Sequence, residues 1–453
     1  MNKVDFRLSE DQYQGAEPAP TRLPPPDDDE LAVILHEDWR NKVAYFHNSW
    51  WVYEDGVWVS RDQHEVNRHI RQFLRTQRGR GVSVNQRRIS ALAAMMVDDV
   101  YMSNRRLSDQ QADASRYINL RNGLYNLETH SLEQHRPDLM MTTQLDFAFD
   151  DNASCPTFDR FLRSSLVLPD TDEADLDLTA MTKQALAYSM TARTDLKASF
   201  WLLGKPDSGK STLIAFLRSL MGNLHATIDL NQLATNRFLL SGIVGKRVVT
   251  FTESSSNTIL PDALYKSIVG GEDEIYVDVK NRPGISFKPE FKLWWAMNEA
   301  PRISDRSGAT FNRLRLIPFN RSIPKDERDP QLLRKLESEK AGVFNELMVF
   351  YRQLQRDGKF RRVQQCEALL KEYELENDTE ATYLDECTER HEAYRVQSSL
   401  LYRDYANWCE DRGFRTKNYN QIAREWRRLG LISQKTGGVI FWHGARIKPT
   451  KNI

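Results

Sequence analysis

The chain has 453 residues, 40% of them hydrophobic and 28% charged, and its 63 basic residues balance 63 acidic ones. A chain of this length exceeds a single core and divides into roughly two to four domains; its composition excludes a disordered or fibrous protein. Zero net charge excludes nucleic-acid binding driven by bulk electrostatics, and no apolar run approaches the ~20 residues of a bilayer span. The charged N-terminus is unlike a signal peptide, so a cytoplasmic location without membrane contact is expected. Cys155, Cys366, Cys387 and Cys409 form no CxxC pair and read as reduced packing residues.

In chain order, residues 1–34 read as a disordered leader, because "PAPTRLPPPDDDE" offers prolines and acids rather than core residues. From Trp39 to Trp58 aromatic and polar residues alternate around Glu54, Asp55 and Gly56, the pattern of a β-hairpin. His64 to about Tyr101 reads as helical and carries Arg68, Arg71, Arg75, Arg78, Arg80, Arg87 and Arg88. For these arginines a solvated face and a nucleic-acid or partner contact are equally open readings. Asn122-Gly123 marks a second hairpin, and a helical pattern runs from Cys155 through Tyr188.

The run "SFWLLG" (199–204) reads as a buried strand, and "TLIAFLRSLMG" after the next few residues as a helix stopped by Gly222. Further apolar runs of strand length lie at 246–254, 291–299 and 313–319, separated by helical segments. That alternation points to an α/β core with a mostly parallel sheet. Helices are expected over 328–357. The last 60 or so residues read as helix, helix and small hairpin, an order suited to a winged helix.

Between the first strand and its helix stands "GKPDSGKST", the GxxxxGK[ST] pattern of a phosphate-binding loop. Gly204 and Gly209 let backbone N–H groups wrap phosphates, Lys210 reaches the β and γ oxygens, and Ser211 can ligate magnesium. The expected nucleotide-binding set is Gly204, Ser208, Gly209, Lys210, Ser211 and Thr212. Hydrolysis also needs a group that orients water, and Glu253, the first acid after "VVTF", is the candidate. Asn298 follows "WWAM" in the same way and can touch a γ-phosphate without adding charge. Arg313 and Arg315, two residues apart at the start of the last strand, are expected on one face, and either suits a finger inserted into a neighbour's site. Between the second and third strands, "EIYVDVK" and "ISFKPEF" flank a turn with Lys280 and Arg282 at its tip, suited to gripping phosphates.

Taken in order, "GKPDSGKST", "KRVVTFTES", "LYKSIVGGEDEIYVDVK", "FKLWWAMNEAPRI" and "FNRLRLIPF" resemble the superfamily 3 helicases, within them the primase-helicases of phages, plasmids and poxviruses. The five segments look like that family's Walker A, Walker B, pre-sensor hairpin, sensor 1 and arginine-finger segments. "WWVYEDGVWV", "INLRNGLYNLET" and "LDFAFDDNASCPTFDRFL" look like the domain that precedes the helicase, and residues from "LLYRDYANWCEDRG" onward look like its winged-helix segment. The resemblance implies ATP and Mg2+ held by Lys210 and Ser211, with Glu253 as the Walker B acid and second metal contact. It implies Asn298 as sensor, Arg313 as the finger acting in trans, Lys280 as the DNA-gripping residue, and a hexameric ring. Some relatives carry two acids where Thr252 and Glu253 stand here, and Arg315 is the alternative finger. No paired-aspartate primase motif is found, so a separate primase or polymerase is an expected partner.

From Arg390 to Ile453 there are 13 Lys and Arg against 5 Asp and Glu, a local basic excess in a neutral chain. Arg424, Arg427 and Arg428 on the second C-terminal helix are the expected DNA contacts. The expected fold is therefore α/β: a P-loop, AAA+-like ATPase core with an α+β N-terminal domain and a C-terminal winged-helix-like domain. Expected boundaries are a leader over 1–34, the N-terminal domain over 35–165, the ATPase core over 166–360, and linker helices with the winged-helix-like domain over 361–453. The expected activity is ATP-dependent unwinding of single-stranded or forked DNA by a ring, 3′ to 5′ by resemblance, in replication of a phage or other mobile element in its host's cytoplasm. The alternative is an ATP-dependent initiator or loader that assembles on DNA without processive unwinding; a small-molecule kinase fits less well, needing neither the arginine in trans nor the cationic hairpin.

Overall fold

The computed structural model describes residues 24–103, 113–229, 239–251, 262–271, 273–279, 282–301, 303, 308–412, 414 and 416–449. They form two compact units, one within residues 1–114 and 136–142, the other within 115–135 and 143–453.

The first unit opens with helix α1 (Asp28–Trp39). Its N-cap is Asp27, which accepts from Glu30 N at 2.8 Å, while Glu30 Oε2 accepts from Asp27 N at 3.2 Å. The acidic run expected to end a disordered leader is thus a capping box, and the expected boundary at residue 34 falls inside a helix. Strands β1 (Val43–Phe46), β2 (Ser49–Glu54) and β3 (Val57–Arg61) form an antiparallel meander. The Asp55-Gly56 turn joins β2 and β3 with both residues at positive φ, as a two-residue hairpin requires. Trp39, expected at the start of the hairpin, instead closes α1. Helices α2 (Gln63–Thr76) and α3 (Gln86–Asp99) replace the single expected helical stretch, with Gly81 at φ +83° between them. Val66, Ile70 and Leu74 of α2 and Ile89, Leu92 and Met96 of α3 pack with Leu31, Leu35 and Trp50.

The second unit begins with β4 (Tyr117–Leu120), β5 (Gly123–Asn126) and β6 (Leu132–Glu133), followed by α4 (Pro156–Ser165) and α5 (Leu176–Ser189). Next come β7 (Ser199–Gly204), α6 (Lys210–Met221), β8 (His225–Ile228), β9 (Val248–Phe251), α7 (Asp262–Gly270), the hairpin β10 (Ile275–Val279) and β11 (Arg282–Phe287), β12 (Lys292–Met297) and β13 (Leu314–Phe319). β13, β7, β12, β9 and β8 lie side by side in that order, and every pairing is parallel. Both faces are covered, which is why these strands read as continuous apolar runs. Phe200 and Leu202 point into one core with Leu213, Phe216 and Phe344; Trp201 and Leu203 point into the other with Tyr265, Trp295 and Tyr373.

Helices α8 (Leu332–Ser338), α9 (Lys340–Asp357) and α10 (Gln364–Asn377) follow. The expected boundary at 165 falls at the end of α4 and that at 361 between α9 and α10. Ile118, Tyr125 and Phe158 of β4, β5 and α4 share a core with the sheet, and Tyr373 of α10 packs against its other face, its ring tilted against Trp201 and edge-on to Phe311. Buried Lys183 on α5 braces this unit by donating to Asp159 on α4 and to Glu346 on α9, the latter at 2.7 Å. Lys183→Met leaves the two carboxylates without their cation. Because both reach solvent, a loss of about 2 kcal/mol in denaturant unfolding is expected rather than the ~3–5 of a fully buried pair.

The C-terminal segment runs α11 (Thr379–Cys387), β14 (Thr388–Gln397), α12 (Ser398–Asp411), α13 (Tyr419–Arg428), β15 (Ile432–Thr436) and β16 (Val439–Ile447). β16 is central in the antiparallel sheet β14-β16-β15, and Leu401, Tyr405, Ile422, Trp426 and Trp442 form its core. No helix among the described residues is long and apolar enough to cross a membrane.

Candidate functional site

The phosphate-loop sequence leaves the carboxyl end of β7 and enters α6 at Lys210. Its two glycines answer different constraints. Gly204 lies against β13, where a Cβ would come within 2.1 Å of the Phe319 carbonyl oxygen. Gly209 is the left-handed N-cap of α6 at φ +97°, and its Cβ would stand 2.9 Å from Ser165 Oγ. No side chain caps that helix, so its first N–H groups are left to an incoming anion. Lys210 is 7% exposed. Its Nζ donates to the carbonyls of Gly204 at 2.8 Å and Lys205 at 2.6 Å, and to Ser208 Oγ at 3.2 Å. Ser211 is exposed and Thr212 half-buried on the first turn.

Residues after β13 clamp the loop, a feature the motif does not announce. Ile323 N donates to Asp207 O at 2.9 Å, Ser322 Oγ to Pro206 O at 2.9 Å, and Arg328 pairs with Asp207 at 3.0 Å.

Met297 of β12 pairs with Leu203 of β7, so Asn298 leaves the sheet beside Gly204. Both line a cleft of about 660 Å³ under α10. Asn320 and Gln365 line it too: Asn320 Nδ2 donates to Val167 O at 3.1 Å and to Gln365 Oε1 at 2.8 Å, and Gln365 Nε2 donates to Asp175. These partners are scattered over 200 residues, and only the fold reveals them as one wall.

Glu253 lies outside the described residues, as does Lys280. β9, which precedes Glu253, is the neighbour of β12. The expected hairpin is present as β10 and β11, with Val279 opposite Arg282; Arg282 therefore begins β11 beside the turn.

Arg313 is not on the strand. It ends a 3-10 turn (Phe311–Arg313), and β13 starts at Leu314, so Arg313 and Arg315 do not share a strand face. Leu314 pairs with Ser199 and Phe319 with Gly204. Arg313 thus stands at the amino edge of the sheet, six residues or roughly 20 Å from Phe319, which lies beside Gly204. Its Nη1 donates to Ala309 O at 2.6 Å, and its buried Nε has no hydrogen-bond partner among the described residues. Arg315 donates to Asn312 O and Leu314 O and lies 5.8 Å over the Phe360 ring; burial pushes its pKa down.

Burial pushes His225, at the amino end of β8, down to about 4, with Arg218 and Lys246 adding to the effect. It is therefore neutral at pH 7. Burial likewise pushes the thiols of Cys155 and Cys366 up to about 12 and Cys387 up to about 11, which keeps them protonated and unreactive.

On α13, Arg424 and Arg427 are exposed, Arg427 lying 5.6 Å over the Trp442 ring. Arg428 is held in ion pairs with Asp378 at 2.6 Å and Glu425 at 2.7 Å. No group of three or more His, Cys, Asp or Glu among the described residues could hold a metal alone.

Residues 32–167 match the family described as D5 N terminal like, and residues 202–313 match a family of unknown function (DUF5906). Among curated relatives, a protein of Acanthamoeba polyphaga mimivirus named as a helicase is 25% identical over 270 residues, 53% of this chain and 27% of its own. One of Invertebrate iridescent virus 6, similarly named, is 24% identical over 250 residues, 52% of this chain and 25% of its own. One of Sputnik virophage is 21% identical over 315 residues, 64% and 39%. The matches thus span between a quarter and two-fifths of these relatives' lengths. A solved structure of the NrS-1 C terminal region shares the fold at a TM-score of 0.51 and 11% identity, covering 91% of this chain and 98% of that one. With a D5 N terminal like region ahead of a parallel sheet that carries a phosphate loop, and with helicase-named viral relatives, the chain resembles the superfamily 3 helicases of the phage and viral primase-helicase type.

Proposed function

We propose that the protein is an ATP-dependent DNA helicase of the superfamily 3 type, working as a ring, expected to be hexameric, on single-stranded or forked DNA. The observation that carries this reading is the division of the site across the sheet. The loop that carries Lys210 and the strand end that carries Asn298 lie at the carboxyl edge, whereas Arg313 stands at the opposite edge, too far away to serve its own phosphate loop. An arginine so placed serves a site only when another copy brings it there.

In this reading Lys210 exchanges its carbonyl partners for β and γ oxygens of ATP, and the N–H groups of the loop and of the first turn of α6 hold the rest of the phosphate chain. Asn298 orients the γ-phosphate and attacking water from the adjacent strand end, with Glu253 as the acid that positions that water. Mg2+, when bound, neutralises phosphate charge next to Ser211. Asn320, Gln365 and Asp175 shape the neighbouring cleft and keep α10 registered over it. The hairpin β10–β11, with Lys280 and Arg282, is the element that steps along the DNA backbone. The five-strand parallel order supports an AAA+-like core, and the order helix, strand, helix, helix, hairpin from α11 to β16 supports a winged-helix-like module presenting Arg424 and Arg427, with Arg428 tied to Asp378.

Forked duplexes with a single 3′ or single 5′ tail test this reading. Strand displacement that needs ATP and the 3′ tail is expected. ATP hydrolysis and DNA binding with no displacement from either fork would instead establish the initiator or loader reading.

A further inference from the structure

Between Glu65 and Asp98 the chain contains seven arginines and no Asp or Glu, although acids and bases balance over its whole length. Four of these arginines, Arg68, Arg71, Arg75 and Arg78, recur at intervals of three and four residues along α2 and the 3-10 turn (Gln77–Arg80) that continues it. At 3.6 residues per turn, those on α2 fall within an arc of about 60°. The apolar side of α2, Val66, Ile70 and Leu74, is buried in the unit's core, and all four arginines are exposed.

Several other cations in this unit have carboxylate partners, although Arg80 and Arg87 have none among the described residues. Arg40 pairs with Glu37, Lys42 with Asp38, Arg61 with Glu54, and Arg88 with Asp28 at 2.6 Å. Arg68, Arg71, Arg75 and Arg78 have no ion pair among the described residues, and the acids of α2's first turn stop at Glu65. Four like charges along one helix face repel one another, a cost that a polyanion removes.

We propose that this stripe is a DNA-binding site that follows the phosphate backbone without reading sequence. The inference rests on the DNA-acting function proposed above and adds a contact remote in sequence from the phosphate loop, the β10–β11 hairpin and α13. The chemistry of the face favours phosphates over a protein partner. Its other exposed side chains are polar, among them Gln72 and Thr76, and α2 exposes no large hydrophobic residue. Protein interfaces enrich arginine too, but set it among the apolar and aromatic side chains of their core, which this face lacks, whereas DNA interfaces are strongly positive and polar. From Arg68 to Arg75 the helix rises about 10 Å, close to the length of roughly three phosphates at 3.4 Å of axis per strand.

The test is fluorescence anisotropy of the full chain on labelled single-stranded and duplex DNA, without nucleotide, over a range of salt concentrations. For the quadruple variant Arg68→Ala, Arg71→Ala, Arg75→Ala, Arg78→Ala, the slope of log affinity against log salt should become shallower by about 2 to 3 on the substrate the stripe holds, at ~0.9 per duplex phosphate or ~0.7 per single-strand phosphate. Affinity near 0.1 M salt should fall at least tenfold. The arm that changes, duplex or single strand, identifies which backbone lies on the stripe. The matching Arg→Lys quadruple variant should retain most of the affinity, since a phosphate accepts a point charge. If the wild type binds DNA and the alanine variant binds with the same slope on both substrates, this site is wrong while the helicase reading stands. A lysine variant as weak as the alanine one also overturns it. A wild type that binds neither DNA removes both.

Discussion

Replacing Lys210 by alanine should lower steady-state ATP hydrolysis by at least ~10³-fold and abolish strand displacement, while leaving the fold intact. Removing one preorganised charge from a developing oxyanion costs on the order of 10²–10³ in rate, and here the same side chain also organises the loop. Its Nζ makes bonds to Gly204 O, Lys205 O and Ser208 Oγ, so alanine removes both the phosphate's cation and the donor that holds those carbonyls inward. Lys210→Arg separates the two roles: the charge remains, but a planar guanidinium does not fit the space of a buried ammonium, and intermediate activity is expected. Phosphate release and a thermal melt on the same samples measure both. A Lys210→Ala protein that still hydrolyses ATP near the wild-type rate would show that the nucleotide is processed elsewhere.

How much of this was legible in the sequence depended on the distance over which the information is carried. The phosphate loop, its strand and its helix were readable because "SFWLLG" is a continuous apolar run and the loop chemistry is local. The Asp55-Gly56 hairpin was readable for the same reason. The capping box of α1 is hidden in the sequence because four consecutive acids after prolines look like solvated chain; the aspartate-to-glutamate spacing of Asp27 and Glu30 is the available signal.

Other features depend on contacts far apart in the chain. Tyr373 belongs to the sheet because its ring meets Trp201 and Phe311, and no period within α10 reports that. The strand was expected from Arg313, but a 3-10 turn holds that residue and β13 begins one position later, which removes the shared face assumed for Arg313 and Arg315. Likewise the helical run from His64 to Tyr101 carried the right apolar period on both sides of a break that only the positive φ of Gly81 makes plain. The D5 N terminal like match over 32–167 and the compact unit ending near 114 also differ. The former follows sequence kinship; the latter follows which side chains share a core, and β4, β5 and α4 share theirs with the sheet.

Arg313→Ala should lower ATP hydrolysis by ~10³-fold or more, the scale on which a finger arginine acts, yet leave ATP binding near wild type. Loss of activity alone does not distinguish a finger from a structural arginine, since Arg313 also bonds Ala309 O. Mixing does. A Lys210→Ala chain keeps Arg313, and an Arg313→Ala chain keeps Lys210, so a ring containing both has some junctions where an intact loop faces an intact finger. With random assembly at equal amounts, about a quarter of junctions are complete, and the mixture should recover up to about a quarter of wild-type hydrolysis. Neither variant shows this alone. The parallel register makes the prediction sharp: with Leu314 beside Ser199 and Phe319 beside Gly204, no side-chain rotation carries Arg313 along the length of the strand to its own loop. A mixed ring with both chains present and no recovered hydrolysis would assign Arg313 to the turn before β13, and the arginine in trans would have to be sought elsewhere in the chain.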